Sequence, residues 1–137
     1  MPVAELTEKE LVAWGEAFGA ALPLPATVLF SGDLGAGKTT LVRAIARAQG
    51  FLEPVTSPTY SLVHEYQSPR GTVFHLDLYR LKGPEELYQL GWEEILRSRG
   101  LVLIEWPDRA GEQLPTPSVT LHLEHVPGRA DVRRLTW

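Results

Sequence analysis

The residues best suited to chemistry are 32–39, which read Gly-Asp-Leu-Gly-Ala-Gly-Lys-Thr. A glycine, four residues and then Gly-Lys-Thr let the backbone curl so that its N–H groups point inward as an anion nest. A helix that starts there adds the positive end of its dipole. Such a loop binds the phosphates of a nucleoside triphosphate. Lys38 is spaced to reach the β- and γ-phosphates, and the Thr39 hydroxyl to enter the shell of a magnesium ion.

A phosphate loop of this kind needs an acidic residue at the tip of a neighbouring buried strand, opposite the loop hydroxyl, to complete the magnesium site. Two positions qualify. Glu105 follows four apolar residues, Leu101-Val102-Leu103-Ile104, the pattern of a central parallel strand. Asp77 follows the less apolar Val73-Phe74-His75-Leu76 and suits a role in orienting attacking water or sensing the γ-phosphate. The reverse assignment stays open, as does pairing of either carboxylate with Arg80 or Arg109. Thr56-Ser57-Pro58-Thr59 lies where nucleotide switches carry a hydroxyl-bearing segment that touches the γ-phosphate or metal, and Thr59 is its candidate ligand. An ordinary proline turn is the alternative. His75 reads as a packed or hydrogen-bonded strand residue rather than a base. Trp106 reads as a cap over the core or as an aromatic surface beside the nucleotide. Arg43 and Arg80 carry no catalytic assignment.

The elements that position these residues follow from pattern. Thr7 and Glu10 form a potential capping box, with Leu11, Trp14, Phe18 and Ala21 at helical spacing up to Pro23. Residues 26–31 form a short apolar strand that leads into the glycine loop, and residues 40–49 a helix that Gly50 terminates. An irregular stretch over 51–59 precedes alternation through Tyr60, Leu62, His64 and Tyr66. After the turn at Ser68-Pro69-Arg70-Gly71, residues 72–78 complete a hairpin ending on Asp77. Two short helices, split near Gly91, precede the strand ending on Glu105. A loop with Pro115 and Pro117 leads to a last hairpin, 119–123 with 132–137. These elements predict an α/β chain of three layers with a P-loop NTPase-like fold. Its mixed sheet has parallel core strands and antiparallel hairpins, flanked by helices.

All 137 residues fit one domain, 1–137, with 44% hydrophobic and 22% charged residues as in ordinary globular chains. The absence of cysteine excludes disulfides, thiolate metal sites and thiol nucleophiles. A net charge of −4 argues against a freestanding nucleic-acid binder, so any RNA is expected to be held by a partner. No apolar run approaches the ~20 residues of a membrane span, and the N-terminus lacks the features of a signal peptide. A cytoplasmic protein is expected.

Together with GDLGAGKTT over 32–40, the blocks Ser57-Pro58-Thr59-Tyr60, His75-Leu76-Asp77-Leu78-Tyr79-Arg80 and Ile104-Glu105-Trp106-Pro107 resemble the TsaE family. The resemblance implies a small ATPase that works with the TsaD and TsaB proteins in making threonylcarbamoyladenosine in transfer RNA, with ATP resetting that complex between turnovers. It implies that the chain meets RNA only through those partners. It gives the phosphates to Gly32, Leu34, Gly35, Ala36, Gly37, Lys38, Thr39 and Thr40, magnesium to Thr39 and Glu105, and support of hydrolysis to Asp77 and Lys38. It also brings Glu8 near the nucleotide, although the threonine often found one turn later is Leu11 here. Three other readings share the loop. A small-molecule kinase needs a lid, and none is visible. A GTPase switch finds a faint echo in Asp108-Arg109-Ala110-Gly111 but no Asn-Lys-x-Asp guanine reader. A nucleotide-gated binding module differs only in whether turnover matters.

Overall fold

The computed structural model describes residues 1–33, 35–50 and 62–137. Seven strands form one sheet in the order β1-β7-β6-β2-β5-β4-β3. These are β1 (Val3–Thr7), β2 (Ala26–Gly32), β3 (Val63–Ser68), β4 (Gly71–Asp77), β5 (Leu101–Glu105), β6 (Val119–Val126) and β7 (Arg129–Thr136). The four central strands, β6-β2-β5-β4, are parallel, and the pairs β3–β4, β6–β7 and β1–β7 are antiparallel. This is the expected mixed sheet.

Alternation along the central strands sends successive side chains to opposite faces, so the sheet has a core on each side. Val28, Phe30, Val73, Leu101, Leu103, Leu121 and Leu123 pack with α1 (Glu8–Ala21) and α2 (Lys38–Ala48). On the other face Leu29, Leu76, Val102 and Ile104 pack with α3 (Glu86–Gln89), α4 (Trp92–Arg97) and the 3-10 stretch Pro107–Gln113. Hence three layers.

Helix α1 starts at the predicted capping box: Thr7 N donates to Glu10 Oε1 at 3.0 Å and Glu10 N to Thr7 Oγ1 at 3.2 Å. Its glycines let α2 approach closely, since a Cβ on Gly19 would lie 2.9 Å from both the Ile45 carbonyl oxygen and the Ala48 Cβ. Two elements exceed the sequence reading. Residues 3–7 form an edge strand against β7, and residues 107–113 are 3-10 helix broken at Gly111. Helix α2 begins at Lys38, two residues before the expected 40, so the lysine and threonine of the loop belong to its first turn. Leu34, Thr59 and the stretch 51–59 lie outside the described residues.

Candidate functional site

The parallel strands β2, β4 and β5 all end at the edge of the sheet where α2 begins, the place where open α/β sheets bind ligands. Gly32 closes β2 with φ 129°, and a Cβ there would lie 2.0 Å from the Leu123 carbonyl oxygen of β6. Only glycine fits that approach. The chain then turns through Asp33, whose carbonyl accepts from Ala36 N at 3.1 Å. It enters α2 at Gly37, with φ 102°. Among the described residues, nothing beyond its own chain neighbours lies within 4 Å of the place a Cβ on Gly35 would take. Ala36, by contrast, is fully buried.

Lys38 is buried, with its Nζ donating to the carbonyls of Gly32 and Asp33 at 2.7 Å each and lying 4.4 Å from the Trp106 ring centroid. Burial lowers its pKa below that of an ordinary lysine, against the upward pull of Glu105, Asp33 and Asp77. The lysine is an incompletely compensated cation among carbonyls, and anionic oxygens are better partners for it than those dipoles.

The two carboxylates stand side by side, since β4 and β5 run parallel with Asp77 in register with Glu105. Glu105 is buried. Its Oε2 accepts from His75 Nε2 at 2.6 Å and its Oε1 from the Thr39 hydroxyl at 3.4 Å. Asp77 accepts from the Tyr79 backbone N–H at 3.1 Å. Burial raises its pKa, Glu105 adds to the rise and the Tyr79 N–H opposes it. Trp106 holds a left-handed conformation, φ 57°, that costs about 1–3 kcal/mol. The following proline already disfavours the right-handed helical region. The ring reaches Lys38 on one side and stacks at a tilt on Tyr79, 4.9 Å between centroids. Trp106 packs against the core on the α3–α4 side of the sheet, as the cap reading expects, and also meets the loop lysine. Arg109, weighed as a carboxylate partner, has its guanidinium 5.5 Å from the Tyr79 ring centroid.

Glu8 lies beside the loop. With Leu11, Gly35, Gly37 and Thr40 it lines a cavity of about 290 Å³ whose other wall is Ala130, Asp131 and Arg133 of β7. Those three were not legible as site residues, because they follow a turn and look like an ordinary hairpin. Among the described residues no three His, Asp or Glu side chains gather as a metal cluster. The available donor set is Thr39 Oγ1 and Glu105 Oε1, two oxygens near one point. That set suits a hard cation such as magnesium, which keeps water and phosphate in the rest of its shell.

A family model for TsaE, the threonylcarbamoyl adenosine biosynthesis protein, matches residues 6–134. The chain belongs to the TsaE family. Its relatives include the Rickettsia bellii tRNA threonylcarbamoyladenosine biosynthesis protein TsaE, 44% identical over 86% of this chain and 82% of that one. The Treponema pallidum protein of the same description is 36% identical over 84% of each. The crystal structure of the Bacillus protein YdiB superposes with a TM-score of 0.68 at 25% identity, covering 98% of this chain and 85% of that one. Family and fold agree with the resemblance drawn from the residue blocks. TsaE membership implies nucleotide binding in general.

Proposed function

We propose that the chain binds ATP with magnesium at the end of β2, β4 and β5 and hydrolyses it. In this reading, hydrolysis resets the TsaD–TsaB complex between rounds of threonylcarbamoyladenosine formation on transfer RNA. The observation that carries the reading is the convergence of Lys38, Thr39, Glu105 and Asp77 at one helix N-terminus.

The backbone N–H groups of the loop and the start of α2 take the phosphate oxygens, and Lys38 leaves its two carbonyl partners for the β- and γ-phosphates. Thr39 and Glu105 hold the magnesium, and their shared contact supports giving that role to Glu105 rather than Asp77. When bound, the cation supplies positive charge that neutralises the triphosphate. Asp77, one strand over, accepts a hydrogen bond from the attacking water and aims its oxygen at the γ-phosphorus. The new P–O bond forms as the bond to the bridging β–γ oxygen breaks, leaving ADP and inorganic phosphate that carries the water's oxygen and both its protons. Ribose and base enter the cavity between Glu8, Thr40 and Arg133. The net charge of −4 fits a chain that meets protein while TsaD and TsaB grip the RNA. No helix among the described residues is long and apolar enough to cross a membrane.

Phosphate release from ATP and from GTP, measured for the chain alone and with TsaD and TsaB, tests the reading. Slow ATP turnover that the partners accelerate is expected. Efficient transfer of phosphate to a small acceptor, with the partners without effect, would sink it.

A further inference from the structure

The hydrolysis reading leaves one buried polar group at the site unused. His75 is fully buried on β4, in register with Leu103 of β5 and two residues before Asp77. Alternation puts His75 and Asp77 on the α2 side of the sheet, where the nearest residues of the same face, Val73 on β4 and Leu103 on β5, belong to the apolar core. A packing role there would be met by leucine. Instead an imidazole places Nε2 2.6 Å from Glu105 Oε2, while Thr39 meets the other oxygen, Oε1, at 3.4 Å. A carboxylate that ligates a cation only accepts hydrogen bonds, so in this reading His75 Nε2 is the donor. Glutamate turns about three side-chain bonds. Fixing Oε2 from beneath leaves Oε1 alone facing the Thr39 hydroxyl.

We propose that His75 is a positioning residue. It holds Glu105 so that the carboxylate offers one oxygen, Oε1, to the cation it shares with Thr39. This rests on the reading of Glu105 as the magnesium carboxylate. Ligating carboxylates are themselves held by hydrogen bonds, and loss of such an outer partner typically weakens metal binding about 10- to 100-fold.

The test measures binding of a fluorescent, non-hydrolysable ATP analogue against magnesium concentration, and again in EDTA, for the wild type, His75→Leu, His75→Gln and Glu105→Gln. In His75→Leu the magnesium needed for half-saturation is expected to rise about tenfold or more, with binding in EDTA unchanged. In His75→Gln an amide N–H reaches the same place, and most of that loss is recovered. A wild-type magnesium requirement in His75→Leu overturns the proposal, as does a Gln variant no better than Leu. A wild-type requirement in Glu105→Gln would remove the metal reading of Glu105 itself, a failure distinct from the other two. Should His75→Leu not fold, the nitrogen-proton NMR spectrum of the wild-type imidazole decides. Nε2 bearing its hydrogen, with a signal that moves when magnesium joins the nucleotide complex, supports the assignment. A bare Nε2 with hydrogen only on Nδ1 overturns it.

Discussion

Burial works against charge at both Lys38 and Asp77, lowering the pKa of the first and raising that of the second. Asp77 titrates higher in the folded chain than in the unfolded one. Its contribution to stability is therefore complete below the ordinary aspartate pKa and is lost as pH rises through the folded value. Near neutral pH the ionised carboxylate is a strain on the fold. Asp77→Asn is accordingly expected to raise the melting temperature near neutral pH, with the gain fading in acid, while phosphate release falls. Thermal unfolding across pH, without nucleotide or metal, checks the first part and a phosphate assay the second. At Lys38 the removed interaction is a charge-assisted contact to phosphate worth about 1.5–3 kcal/mol. Lys38→Met should therefore weaken nucleotide binding about 10- to 100-fold by calorimetry.

The elements place these groups through close approach. Helix α2 carries Lys38 and Thr39 in its first turn, and α1 lies against it through Gly15 and Gly19. At Gly19 the obstacle to a Cβ includes the Ile45 backbone, which cannot swing aside as a side-chain tip would. Gly19→Ala is expected to cost about 1–3 kcal/mol of stability, read from chemical denaturation, and to loosen nucleotide binding as α2 shifts. This packing was not legible, because glycine in a helix reads as a weak helix former. The strands β2 and β5 were legible as short apolar runs buried on both faces, and the hairpins through their turns and alternation. β1 was missed because Val3–Thr7 buries none of its residues fully, and only pairing with β7 at the far end of the sequence makes it a strand. The 3-10 stretch after Trp106 carries neither helical nor strand periodicity.

At the scale of the molecule, four parallel strands bring the loop, Asp77 and Glu105 to one edge, and the antiparallel β7 returns to close the cavity beside Glu8. The candidate residues stand out by their own types and spacing. Their contacts do not, since His75 with Glu105 and Trp106 with Lys38 depend on register between elements distant in the chain. The central claim is that hydrolysis at this edge releases the partner complex for another round. It is tested most directly by counting threonylcarbamoyladenosine formed per TsaD–TsaB complex, supplied with transfer RNA, ATP and the threonylcarbamoyl donor. The wild-type chain and Asp77→Asn would be compared. The wild type should support many rounds and the variant, which still binds ATP with magnesium, about one. Many rounds with a variant that releases no phosphate would contradict the account.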